Sequence, residues 1–384
     1  MREFVGESEA QVSSSAVEGP GPASPTRLVV QSIGTASPAS AVAIAVGLGV
    51  PVERVMHAIY RAPSVLVDAA APAIAHRLAG LLTELGCEIA IQPSSETKPA
   101  SQPLFDVAAH VEDLSCYASA VMALGRFLGM GDDDAAALLA TPPSTVLGKV
   151  SRATVEALAA RLGPGVTLIA SDPDTATYDV FLDRRDVTAR SRIVWDLEQR
   201  GYRLHAREGC ILTGLARTEA EELWGAHHRS PALRIINRDF LRFDLVMIGG
   251  EPTPAAFAAL EDVAGVPAAI VPCLFGEAPI TVMEAVPSAR VGHALDEFAR
   301  AGVQARADLI TFLRFGVEVT KIRERAELER SLDRLGVTAA DAELRQLPWR
   351  YPHHLSHLQA RLVRDALAAA GAETLLVEAS EEDG

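Results

Sequence analysis

Lysine is nearly missing from this sequence. Only Lys98, Lys149 and Lys321 stand among 35 basic residues, which 50 acidic ones outnumber for a net charge of −15. A chain so short of positive charge lacks the dense basic surface that nucleic-acid contact uses to displace counterions. The same deficit argues against docking on anionic lipid, and no run of eighteen apolar residues predicts membrane insertion. Aromatic residues are scarce at 5%, so the 49% of hydrophobic residues must build cores mainly from Ala, Val and Leu. The four cysteines, Cys87, Cys116, Cys210 and Cys273, form no Cys-x-x-Cys pair, which points away from a zinc cluster or thiol redox site. Neither a G-x-x-x-x-G-K-[ST] phosphate loop nor a G-x-S-x-G nucleophile elbow occurs. The expectation is therefore a cytoplasmic protein with no cofactor, no metal and no catalytic residue. The first residues, rich in Ser, Pro and Gly and with acids early, do not read as a signal peptide.

What the chain does contain is repetition. An alternating strand recurs as FDVAAHV at Phe105, YDVFLD at Tyr178, FDLVMIG at Phe243 and FGVEVTK at Phe315, with RLVVQSI from Arg27 as an earlier copy. A glycine follows each strand after a helical stretch, at Gly49, Gly129, Gly201, Gly265 and Gly336, where a left-handed helix cap is needed. Prolines at Pro63, Pro142, Pro279 and Pro348 stop a second helix. Gly86, Gly165, Gly302 and Gly371 close a third helix and open a last strand. Together these predict an α+β chain of five tandem modules, each strand-helix-helix-strand-helix-strand. The third is degenerate, because TEAEELWGAHH is its one clear helix after Gly201.

The predicted divisions are a disordered tail over 1–25, module one over 26–93, a Ser/Pro-rich linker over 94–103 and module two over 104–172. Module three covers 173–239, module four 240–312 and module five 313–379. The links after module two leave few free residues, which predicts an elongated rod or arc with module five at its free end.

GVPVERVMHAIYRAP, from Gly49 to Pro63, followed by SVLVDAAAPAIAHRLAGLLTELGCEIAIQ, resembles the C-terminal domain of the bacterial large-subunit ribosomal stalk protein. That resemblance implies the same small α+β head in every module. In the family this head recruits translational GTPases through basic side chains on its first two helices. At those positions this sequence places Ser37, Val42, Ala45, Glu53 and Met56, so the fold is expected to carry over without the partner.

Of the remaining motifs, YPHHLSH sets His353 and His357 four residues apart beside His354, yet no acid or cysteine stands at ligand spacing. Asp132, Asp133 and Asp134 read as the acidic first turn of a helix, and His227 and His228 as a helix end. Leu347-Pro348-Trp349-Arg350-Tyr351-Pro352 gathers residue types enriched at binding hot spots. Trp349, Arg350 and Tyr351 are thus the candidate partner-binding residues, the other reading being that Trp349 fills the gap between helix and sheet. The expected function is a non-enzymatic scaffold or adaptor for unidentified protein partners, acting in a multi-protein assembly. The rival readings are a protein associated with the ribosome or its GTPases, and an enzyme with a site at a module junction.

Overall fold

The computed structural model describes residues 24–183, 186–205, 209–337, 344 and 346–379. The predicted tail lies almost wholly outside them, as does much of the stretch expected to hold the second helix of module five. Thirteen α-helices and fifteen strands are described, and the strands form five separate three-stranded antiparallel sheets. In each sheet the first strand is central and the next two flank it. No helix among the described residues is long and apolar enough to cross a membrane.

Unit one consists of β1 (Thr26–Ser32), α1 (Pro38–Leu48), α2 (Val52–Tyr60), β2 (Ser64–Ala70), α3 (Pro72–Glu84) and β3 (Glu88–Pro93). Unit two repeats it with β4 (Leu104–Val111), α4 (Tyr117–Leu128), α5 (Asp132–Ala140), β5 (Thr145–Ser151), α6 (Arg152–Leu162) and β6 (Val166–Ser171). Unit three has β7 (Tyr178–Leu182), α7 (Val187–Gln199), β8 (Cys210–Leu215), α8 (Arg217–His227) and β9 (Leu233–Asn237), with α7 alone described between its first two strands. Unit four comprises β10 (Arg242–Gly250), α9 (Pro254–Asp262), a single turn α10 (Val271–Leu274), β11 (Ile280–Pro287), α11 (Ser288–Arg300) and β12 (Val303–Leu309). Unit five comprises β13 (Phe315–Ile322), α12 (Arg325–Arg334), a two-residue β14 (Trp349–Arg350), α13 (His357–Ala369) and β15 (Ala372–Glu378).

Strand periodicity explains the central strands. Leu28 and Val30, Val107 and Ala109, Val180 and Leu182, Leu245 and Met247, and Val317 and Val319 each point into a core as alternate residues. The residue just before each pair is Arg27, Asp106, Asp179, Asp244 or Gly316, and alternation turns it to the other face of the sheet. In units two to four that aspartate has a fixed task. The second strand carries a bulge whose residue has a left-handed backbone, at Lys149, Gly214 and Ala285. The freed N–H of that residue donates to Oδ1 of Asp106 at 3.0 Å, of Asp179 at 2.9 Å and of Asp244 at 2.8 Å. In unit one the pieces are exchanged: Ala69 is the left-handed residue, its N–H goes to neighbouring Asp68, and Arg27 pairs with that carboxylate at 3.5 Å.

Of these aspartates the half-buried Asp244 makes a pH-dependent prediction. Burial pushes the Asp244 carboxyl up to about 6 from 3.8, with Glu284 and Asp308 adding to the rise against the Ala285 N–H. A raised acid holds its proton more tightly in the fold, so stability falls as pH climbs from about 4 to about 6 and stays penalised above. Asp244→Asn keeps the acceptor oxygen and removes the charge. It is expected to raise Tm at pH 8 and to match the parent below pH 4, as thermal melts across that range will show. An equal effect at both ends would assign the change to packing instead.

The cis proline at the start of the second strand falls at Pro63, Pro143, Pro279 and Pro348. In unit two the recurring residue is therefore Pro143, one beyond the Pro142 expected.

The five units do not form a rod. Units one and two share a single hydrophobic core running from Leu28 to Val166, so the 94–103 segment does not separate them into independent bodies. Tyr60 donates its hydroxyl to the Phe127 carbonyl at 3.0 Å, and Arg161 donates to the carbonyls of Gly34 and Ala36. Unit two meets unit three through Ser171 and Asp239 at 2.5 Å, and units three and four join through Phe181, Cys210, Leu241 and Phe312. Ala285 of unit four packs on the core of unit five. Unit five then returns to unit two: Arg361 on α13 donates to the carbonyls of Val111 at 3.0 Å and Glu112 at 2.7 Å, across 250 and 249 residues of chain. Leu358 packs beside it on the core of units one and two. Units two to five thus close on themselves, and unit five is not a free end.

Candidate functional site

The residues chosen from sequence are mostly structural. Trp349 and Tyr351 are each 8% exposed and belong to the core of unit five, which corrects the expectation of an exposed patch. The reason lies in alternation along the edge strand β14. Trp349 and Tyr351, two apart, turn toward the helices, and Arg350 between them turns out to solvent. Pro352 breaks no ladder because β14 is an edge paired only with β13. Arg350 is the exposed member of the trio, and its Nε donates to Glu318 Oε1 of β13 at 2.5 Å. Tyr351 stacks edge-on against Trp349 and sends its hydroxyl to the Leu335 carbonyl.

His353 and His357 part company, the first against the Tyr351 ring and the second against Phe315. Among the described residues no three His, Cys, Asp or Glu side chains gather as a metal site. Asp132, Asp133 and Asp134 occupy the first turn of α5. In unit one, Ala45 is 2% exposed within the core, so a docking side chain has no surface to stand on there.

The tryptophans that do face solvent are the other two. Trp195 on α7 is 62% exposed and Trp224 on α8 is 51% exposed. Ile193 and Leu197 fix the buried face of α7 one turn apart, which leaves Trp195 on the opposite side. The helices are tied by His227 Nε2 and Asp196 Oδ2 at 2.8 Å, a contact that holds the Asp196 carboxyl below the usual range. Trp195 adjoins Asp196, and Trp224 lies one turn before His227 with its ring near His228. Among the described residues, unit three is the one whose helices carry exposed tryptophan.

A second feature appears where units two, four and five meet. An inner chamber of about 560 Å³, counting space open to solvent, has apolar walls that include Leu139, Pro143, Phe240 and Ile310. Its polar lining is His110 and Ser144 of unit two, Arg242 and Thr311 of unit four, and Ser356 and His357 at the start of α13. His110 and His357 also line an adjoining outer cleft of about 710 Å³, with Glu112, Glu284, Arg290 and Arg361. Burial, then Arg242, Arg361 and His357, drives the His110 pKa down to about 3. Burial with Arg361 and Arg364 takes His357 to about 4, so both rings are neutral at physiological pH. Arg242 is 8% exposed and its Nη1 is buried with no hydrogen-bond partner. Burial lowers its pKa to about 10, opposed by Glu112, and it remains a cation. Sequence reading missed this chamber because its walls come from three units.

Comparison of the chain with protein-family models, with curated proteins and with solved structures gives no match.

Proposed function

We propose that this chain is a non-enzymatic scaffold that holds a protein partner on the helical face of its third unit, each unit being a stalk-head-like α+β module. The observation that carries this reading is the exposure of Trp195 and Trp224 on two helices pinned together by the His227–Asp196 contact. Exposed tryptophan is costly to keep in water and is the residue type most enriched at binding hot spots. A rigid pair of helices loses little entropy on docking. Closure of units two to five supports the same reading, since it presents that face on a fixed frame.

The translational GTPase partner of the stalk family is not supported here. The positions that would carry its basic docking face hold Ser37, Val42, Glu53 and Met56 together with the buried Ala45.

The test captures partners in parallel with the wild-type chain and with a Trp195→Ala/Trp224→Ala variant. A protein retained by the first and lost by the second is then purified and titrated. Binding is expected to weaken by about 2 kcal/mol or more, the range of hot-spot truncations, with the melting curve unchanged because both side chains are outside the core. Equal affinity for both chains would remove unit three as the docking face.

A further inference from the structure

We infer that the chamber between units two, four and five is a binding site for a small oxyanion, a phosphate or carboxylate group, seated on Arg242 between His110 and His357. In a chain of net charge −15, this junction concentrates the guanidinium groups of Arg242, Arg290 and Arg361. None of the three forms an ion pair among the described residues. Arg361 is committed to the carbonyls of Val111 and Glu112, and Arg290 lies at the exposed rim. Arg242 is different. It is more than nine-tenths buried, still charged, and has an Nη1 without an acceptor.

A buried cation with an unfilled donor is destabilising unless something negative completes it. The two acids nearby do not complete it. The Glu112 charge favours the cation from a distance but gives it no hydrogen bond, and Glu284 lines the outer cleft rather than the inner chamber, so Nη1 stays unfilled. Arg242 lines the inner chamber together with His110 and His357, and those two histidines also line the outer cleft, so the waist between the two spaces lies at the histidines. Neutral His110 and His357 can each donate one ring N–H there. The start of α13, at Ser356 and His357, opens on the same space and adds the positive end of a thirteen-residue helix. Apolar walls beyond the waist fit a ligand whose acid group sits on a compact body. Such a ligand would touch three units at once.

The full-length chain is titrated with inorganic phosphate and, separately, with benzoate, both at ionic strength matched with sodium chloride. Calorimetry and thermal melts provide the readouts. At least one probe is expected to bind saturably and to raise Tm where chloride does not, and the tighter one identifies the class, phosphate or carboxylate on an apolar body. Arg242→Met is expected to weaken binding about tenfold to a hundredfold, the loss of one charge-assisted contact. The Tm of that variant without anion stays the same or rises, because a buried charge has been removed. Arg290→Gln, at the exposed rim, should weaken binding less and leave the fold intact. The proposal fails if neither probe binds, or if Arg242→Met binds as the parent does. Should Arg242→Met not fold, the test passes to His357→Phe, which keeps a ring but has no ring N–H: undiminished affinity there overturns the proposal and a several-fold loss supports it.

Discussion

Trp349→Ala is expected to cost the fifth unit about 3–5 kcal/mol of stability, the range for deleting a buried aromatic side chain. The indole sits on the edge strand β14 with Val317, Val319, Leu328, Leu332 and Tyr351 in the same core. Its ring meets Tyr351 edge-on at 6.4 Å between centroids, so truncation also loosens the tyrosine whose hydroxyl caps the Leu335 carbonyl. The edge strand is only two residues long and pairs through Glu318–Arg350 and Val319–Trp349. Beyond it the Tyr351 N–H donates to the Val317 carbonyl at 2.8 Å and Phe315 bridges Leu355, so the margin is held by a few backbone bonds and by the indole packed beneath them. Denaturant melts should therefore show an early transition belonging to unit five, while binding of a partner captured through unit three stays as it was. Trp349→Phe should recover more than half of the loss. A Trp349→Ala cost under about 1 kcal/mol, typical of exposed sites, would return this residue to the surface.

The second large effect is expected at Phe127. This side chain is fully buried and lies where the first two units share their core. Tyr60 of unit one packs on it edge-on at 5.9 Å, and Arg161 holds its guanidinium 4.7 Å from the ring centre. Phe127→Ala removes the transfer free energy of the ring and leaves a cavity, again about 3–5 kcal/mol. It also removes the surface against which Tyr60 and Arg161 are placed. Unit one should then part from unit two before either unfolds, and limited proteolysis should cut within 94–103 faster than in the parent. Loss of stability without faster cleavage there would place Phe127 in the core of unit two alone.

Local features of this chain were legible because each unit writes them again. The opening strand, the capping glycines and the third helix could be read from period and punctuation. The aspartate that follows Phe105, Tyr178 and Phe243 is a plainer case still: it stands in three of the opening strands, and its task as the acceptor for a bulge N–H needed the structure. Trp349 was misread through composition. Trp, Arg and Tyr side by side suggest a hot spot, yet their alternation along a strand sends the two aromatic rings inward together. Trp195 could have been found by the same attention to direction, since Ile193 and Leu197 define the face opposite it. The closure of unit five on unit two was not legible. A contact between Arg361 and Val111 leaves no periodic trace, and short links between neighbouring units are as compatible with an arc as with a closed circuit.

That closure also orders events during synthesis. The carbonyls of Val111 and Glu112 leave the ribosome early and wait for Arg361, 250 and 249 residues later. At synthesis rates of about 5–20 residues per second this interval is roughly 12–50 s. Throughout it the face of unit two that will receive α13 is bare to chaperones and to other nascent chains. A second copy emerging nearby could offer its own α13 first, so crowded translation on one messenger would favour an exchanged dimer, and sparse translation the self-closed monomer.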